Sequence, residues 1–364
     1  MKRFVLQGIF ASLAVTAACS SGGTSNTGGA GGTSSSSSSS TASSTSSSTS
    51  SSTTASSSSG TGGAGTGGMG TGGSNPCPTC VTVATLPAGS KPYGLAVDSN
   101  NVYWTNTGTG EVMQAKLDGS SKVTIASGQD TPHALTVHGG FVIWGLYAAI
   151  GALRKAPIGG GTSVDLLPLA PAVLEVVADD NYVWWTREPD DIQRVPFNGL
   201  PDGGVEDLLT GNPLANGIAF DGTSIYWANQ QDGYVKKCDI DLGNETPLAS
   251  GDVPWGVAVD GTNVYWTEQG SAPNVGKIMK ASKADGSGTT ALAMTQASPQ
   301  GIAVDATSVY WANKEEGTIN KVSIAGGSVT VIASGQATPI KIAVDGTHVY
   351  WTNYDGDAVV KAPK

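Results

Sequence analysis

The chain has 364 residues, a net charge of −10 and 19 Lys plus Arg against 29 Asp plus Glu. An acidic chain without a basic stripe lacks the phosphate-neutralising charge that nucleic-acid binding needs, which sets that class of partner aside. Charged residues are only 13% and glycine reaches 51, a balance that fits turn-dense β structure, while three histidines leave little material for a histidine metal site.

Residues 1–19 read as an export signal. Lys2 and Arg3 are a positive head, Phe4 to Val15 a short apolar stretch, and Thr16-Ala17-Ala18 are small residues running up to Cys19. The stretch is too short to be a stable membrane span. Small residues followed at once by cysteine resemble the lipobox of bacterial lipoproteins, with Thr16 standing where leucine is usual. The resemblance implies a diacylated Cys19 as the mature N-terminus, and two acyl chains suffice for stable anchoring in a lipid bilayer. Ser20 in place of Asp implies the outer membrane of a Gram-negative cell. Ordinary signal cleavage beside an incidental cysteine is the alternative.

Residues 20–76 are nearly all Ser, Gly, Thr and Ala. With almost no apolar side chains to bury, nothing offsets the entropy of ordering them, so they read as a disordered tether. Its reach is roughly 40 Å by the square-root scaling of flexible linkers. The Ser/Thr density would also suit O-glycosylation.

The folded domain is expected over 77–364. Cys77-Pro-Thr-Cys80 opens it, and no helical pattern follows to support thioredoxin-type chemistry. Zinc wants four ligands, and besides Cys19 the only other mature cysteine is Cys238. Outside the cytosol a Cys77–Cys80 disulfide is the expected state, with Cys238 a buried free thiol in a strand.

From Val81 onward one frame recurs seven times, a Trp six residues after an Asp slot: Asp98/Trp104, His138/Trp144, Asp179/Trp185, Asp221/Trp227, Asp260/Trp266, Asp305/Trp311 and Asp345/Trp351. The tryptophans lie 40, 41, 42, 39, 45 and 40 residues apart, the mark of repeated supersecondary units. Each unit reads as four strands joined by Asp-Gly and Gly-Gly turns, the Asp of the DGT turn capping it by an Asx-type bond. In Val102-Tyr103-Trp104-Thr105 neighbouring side chains point to opposite faces, so Tyr and Trp both need cover. Only a sheet flanked on both sides supplies it, and that is a propeller blade. The last unit ends in its third strand at Lys364, and Val81–Thr85 matches 329–333, so the N-terminal strand is expected to complete the seventh blade.

The stretches 225–229, 264–268, 102–106 and 349–353 (IYWAN, VYWTE, VYWTN, VYWTN) resemble the YWTD repeats of low-density-lipoprotein-receptor-type propellers. The frames at 254–260 and 299–305 are similar to NHL, SMP-30 and virginiamycin B lyase propellers. The resemblance covers 81–364 and implies an all-β, YWTD/NHL/TolB-like propeller. Seven blades are expected, with the six blades of YWTD domains as the alternative. The family's Asp is replaced by Asn106, Asn229, Asn313, Asn353, Glu268, Arg187 and Leu146.

No nucleophile elbow or phosphate-binding loop occurs in the folded part. The lyase and lactonase propellers that this chain resembles hold a metal near the axis, and no convincing ligand set stands in the corresponding slots. Glu175 is the only acid at the start of a first strand and Lys341 the only base. Glu188, Asp190 and Asp191 form an acidic loop that reads as solvated, and His138 and His348 sit at turns. No cofactor and no metal site are expected.

First strands run down the channel of a propeller, so their leading residues should converge at one rim. These are Tyr93, His133, Leu174, Asn216, Trp255, Gln300 and Ile340, which differ from blade to blade while the strands behind them repeat. Loops after the Trp strands should bring Asn106, Arg187, Asn229, Glu268, Asn313, Asn353 and Tyr354 to the same rim. The expected ligand residues are Tyr93, His133, Asn216, Trp255, Gln300, Arg187 and Glu268, for a sugar or peptide rather than a bare ion. The expected function is an envelope-anchored binding module for protein, peptide or glycan. A metal-dependent lactonase- or lyase-type enzyme and a structural envelope scaffold are the alternatives.

Overall fold

Twenty-eight strands and no helix make up the described residues of the computed structural model, which are 77–364 apart from 171, 190, 201–203 and 206. The expected signal peptide, Cys19 and the linker lie outside the described residues, as does Asp190. The strands form seven separate four-stranded antiparallel sheets. In the first, Pro92–Val97, Asn101–Asn106, Glu111–Lys116 and Val123–Ala126 follow one another from the inside outward. The next five blades repeat that order, and first strands of neighbouring blades pack against one another around the ring. In the seventh, Val81–Thr85 pairs antiparallel with Ala358–Pro363 and supplies the outer strand. The chain is a seven-bladed β-propeller.

The core lies between blades, in seven clusters that repeat one pairing. Trp104 packs with Tyr350 of the preceding blade, Trp144 with Tyr103, Trp266 with Tyr226, Trp311 with Tyr265 and Trp351 with Tyr310. In the other two, Trp185 meets Ile143 and Trp227 meets Trp184. Both faces of every second strand are therefore buried, and all seven repeat tryptophans are fully buried. At about 25 cal/mol per Å² and roughly 150–250 Å² per ring, each contributes several kcal/mol gross.

The Asp slot holds the far end of each blade. Asp260 Oδ1 accepts the amides of Thr262 and Asn263 at 2.7 Å, and Oδ2 accepts the Tyr265 hydroxyl at 2.7 Å. The same double use recurs at Asp98, Asp221, Asp305 and Asp345. Between blades, third-strand lysines reach over to a backbone carbonyl of the next unit: Lys155 to Phe197, Lys280 to Ile324 and Lys361 to Leu117, at 2.6–2.9 Å. Cys77 and Cys80 are joined as a disulfide against the core between blades six and seven. Cys238 is a buried free thiol, and burial pushes it up to about 12.

Candidate functional site

Each first strand begins two residues earlier than its GLAVD-like segment suggests, and its start is built by a kink that no glycine announces. Lys91, Thr131, Ala172, Leu214, Val253, Ser298 and Thr338, one per blade, take φ of +51 to +57°. In every case the carbonyl of that residue accepts an amide from just beyond the Trp strand, as Val253 does from Gln269 at 3.0 Å. A bulge follows, because pairing with the second strand jumps from Pro254↔Glu268 to Val257↔Trp266. Kink and bulge together turn the leading side chain toward the axis.

The glycine after the leading residue has a steric cause. A Cβ on Gly94 would lie 2.3 Å from the His133 carbonyl, and one on Gly256 would lie 2.4 Å from that of Gln300. Where the YWT threonine is present it ties the two strands: Thr267 Oγ1 accepts the Gly256 amide at 2.8 Å and donates to the Gln300 carbonyl at 3.0 Å. Thr105 does the same between Gly94 and His133.

All seven leading residues meet at one mouth. A cavity of about 520 Å³ is walled by Tyr93, His133, Trp255, Gln300, Ile340, Tyr147 and Tyr354, with Lys91, Lys314 and Asp355 on its lip. An adjoining lobe of about 290 Å³ shares Tyr93, His133, Tyr147 and Trp255 and adds Leu174 and Asn216. The Tyr93 and His133 rings stack at 3.6 Å, Tyr147 lies 5.2 Å from His133, and Tyr354 meets Tyr93 edge-on at 6.4 Å. His133 Nδ1 donates to the Leu174 carbonyl at 3.2 Å, which leaves Nε2 as an acceptor. Burial, with Lys341 beneath, lowers His133 to about 3, so the ring is neutral. Burial raises the Tyr93 hydroxyl well above its ordinary value.

Glu175 and Lys341 occupy the slot that is glycine in four blades and alanine in blade two. From opposite sides of the channel they form an ion pair below the mouth, in a cavity of about 140 Å³ that shares Trp255 and Gln300 with it. Burial draws the Lys341 ammonium down, and the Glu175 carboxylate supplies its counter-charge. The pair spans the channel beneath the mouth.

Two of the expected ligand residues are placed elsewhere. Glu268 is buried, its Oε1 accepting the Trp266 indole at 3.1 Å and its Oε2 pairing with Lys277 at 3.1 Å. It fills the space left by Gly251, where four other blades carry the Gln or Asn that holds the indole, as Gln296 does for Trp311 at 2.9 Å. Arg187 is clamped on Asp191. Asn106, Asn229, Asn313 and Asn353 are likewise buried and tie the Trp strand to neighbouring loop side chains. Polar identity at a loop start does not separate a rim residue from a buried tie. Tyr147 went unrecognised because its slot, three beyond Trp144, holds Lys314 and Tyr354 in other blades and shows no repeat signature. Among the described residues no group of three or more His, Cys, Asp or Glu side chains is placed to hold a metal.

No protein-family model matches the sequence, and no curated protein aligns with it significantly. Solved structures do resemble it. Virginiamycin B lyase from Staphylococcus aureus superimposes with a TM-score of 0.64 at 16% identity, covering 77% of this chain and 98% of the lyase. A streptogramin B lyase gives 0.64 at 17% identity over 78% of this chain and 96% of the other. The WD40 propeller domain of Doa1 gives 0.62 at 14% identity over 78% and 96%. What they share with this chain is the fold.

Proposed function

We propose that this chain is an envelope-anchored propeller of YWTD/NHL-like repeats that binds a protein, peptide or glycan ligand in the mouth. A diacylated Cys19 holds it on the outer membrane and the 20–76 tether lets the propeller stand clear of the bilayer. The observation that carries the reading is the convergence of seven non-repeating leading residues at one mouth, five on a cavity of about 520 Å³ and Leu174 and Asn216 on the lobe beside it. That volume is in the range of ligand pockets, and aromatic walls with a few polar groups are their usual lining. Positions that keep the fold look alike in every blade, whereas these do not.

The test compares capture of envelope components by the full chain and by the Tyr93→Ala/Trp255→Ala double variant. A component held by the first and lost by the second supports the mouth. Equal capture by both would place the binding surface elsewhere.

A second reading has an observation of its own. A catalytically inactive histidine-to-alanine variant of virginiamycin B lyase is known with quinupristin, with a TM-score of 0.65 to this chain at 16% identity. Here His133 presents a neutral imidazole with Nε2 free at the mouth. On that reading the protein is a lyase- or lactonase-type enzyme, and His133→Asn abolishes turnover of a cyclic ester while leaving its binding in place.

A further inference from the structure

In five blades the repeat tyrosine, and in five the repeat tryptophan, finds a polar partner within the protein. The hydroxyls of Tyr103, Tyr226, Tyr265, Tyr310 and Tyr350 donate to the Asp slots. The indoles of Trp144, Trp227, Trp266, Trp311 and Trp351 donate to Gln, Asn or Glu side chains, and only Trp104, Trp184 and Trp185 are buried without one. The mouth gathers several such groups without partners. Tyr93 Oη, Tyr354 Oη, Trp255 Nε1, His133 Nε2 and the Gln300 amide line it and have no side-chain partner among the described residues. Gln300 is 6% exposed and lines this cavity, its amide bonded to no other side chain among the described residues.

The charged groups at the mouth are different. Lys91 pairs with Asp355 at 2.6 Å, and Glu188 accepts the Tyr147 hydroxyl at 3.0 Å. Lys341 is paired with Glu175 in the floor. Lys314 stands exposed on the lip. The carboxylates stand at the edge, Asp355 on the lip and Glu188 in the adjoining lobe, while the donors and acceptors enclosed in the larger cavity are neutral. Trp255 is half-buried, lines the cavity and stacks on no other ring among the described residues.

From this juxtaposition we infer that the ligand of the mouth is an uncharged saccharide, bound by the end of its chain, with a sugar ring lying on Trp255. The inference rests on the proposed reading of the mouth as the binding site. A pyranose presents apolar C–H faces to an aromatic ring and hydroxyls around its edge. Each hydroxyl both donates and accepts, matching a lining of neutral groups of both kinds. The Glu175–Lys341 pair lies across the channel beneath the mouth, which suits a chain end better than a polymer threaded through. An acidic or basic peptide would bring charges into a cavity whose own charged groups, Lys91, Asp355 and Lys314, stand on the lip.

Trp255 makes the test direct. The protein has nine tryptophans and the other eight are fully buried, so quenching by acrylamide reports on Trp255. The full chain, purified in detergent, is titrated with three probe sets. They are neutral oligomers of glucose, galactose, mannose and N-acetylhexosamines in both linkages, their sialylated or sulfated forms, and neutral, acidic and basic hexapeptides. A neutral oligosaccharide is expected to protect Trp255. By calorimetry its affinity should fall about tenfold or more in Gln300→Leu, severalfold in Tyr93→Phe, and less than twofold in Lys314→Ala. Tyr93→Phe removes one hydroxyl and keeps the ring, so it guards against a folding artefact in the first variant. Protection by peptides alone, or by anionic sugars alone, overturns the saccharide inference and keeps the mouth as the site. The absence of any neutral saccharide binding at millimolar concentration overturns it as well. A saccharide that binds without protecting Trp255, and equally in Tyr93→Ala/Trp255→Ala, overturns the mouth reading and the inference with it.

Discussion

Tyr265 shows how much one residue does in each repeat. Its ring fills the gap to Trp311 of the next blade, while its hydroxyl ends on the carboxylate that closes its own turn. Tyr265→Phe keeps the packing and removes a hydrogen bond to a partly solvated acid, so a loss of about 1 kcal/mol in chemical denaturation is expected. Trp266→Ala removes a fully buried ring and should cost about 3–5 kcal/mol. A loss below about 1 kcal/mol would mean that the ring is not in the core. Partial burial pushes the Asp slots up, and it is outweighed by turn amides and hydroxyls, or Lys283 and Lys364, which leave Asp98, Asp221, Asp260 and Asp305 below their ordinary value and Asp345 at about 2. A depressed carboxyl contributes stability above its unfolded pKa, about 4, and loses it as pH falls through the folded value. The melting temperature should therefore fall steeply between pH 4 and 2, and a flat profile there would contradict the assigned bonds. The kink residue carries the opposite signal. Val253 is β-branched and sits at φ +57°, a conformation that costs about 1–2 kcal/mol and that glycine adopts freely. Val253→Gly should thus leave the melting temperature unchanged or raise it, whereas glycine in a regular strand lowers it.

At the scale of elements, ring closure depends on five residues far from the C-terminus in sequence. Val81–Thr85 covers the edge of Ala358–Pro363 and puts Val83 and Ala84 into the core with Trp104 and Tyr350. A chain beginning at residue 90 should melt well below one beginning at residue 76, since it exposes a strand edge and opens the core between blades seven and one. Equal melting temperatures would refute closure by this strand. The match of 81–85 to 329–333 made the pairing legible in the sequence, because a repeat that starts late and ends early must borrow its missing strand. The lysine staples were not legible. Lys155, Lys280 and Lys361 read as ordinary solvent-facing strand residues until the next blade brings a carbonyl to each.

At the scale of the whole molecule, Glu175 and Lys341 belong to blades three and seven and meet only because the ring closes. Removing one leaves a charge in a confined channel, while removing both restores the small residue that blade two has in Ala134. Glu175→Ala and Lys341→Ala should each cost on the order of 1–3 kcal/mol, less than the ~3–5 of a dry pair, and the double variant less than their sum. Additive losses would show the two side chains to be independent. Anchoring is tested separately. Cys19→Ala is expected to lose acylation and to release the protein from membranes, and retention of an unlipidated form would require another anchor.

The number of blades, their strand order and the closing strand followed from the sequence alone. Those features rest on local chemistry repeated at a fixed period: a turn-capping Asp, a strand with aromatics on both faces, and a glycine where two backbones approach. The seven leading residues could also be named, since variation within a repeated frame marks positions released from keeping the fold. Which neighbours joined them was decided by tertiary structure. Asn106 and Tyr354 stand two and three residues beyond a repeat Trp, yet one ties loops inside the blade and the other walls the mouth. Glu268 looked like a rim acid and proved to be the partner of Trp266, because Gly251 left a gap beside that indole. Sequence spacing places a residue along its strand. Whether its polar atoms face a cavity or a neighbour depends on what the adjacent blade and loop bring alongside.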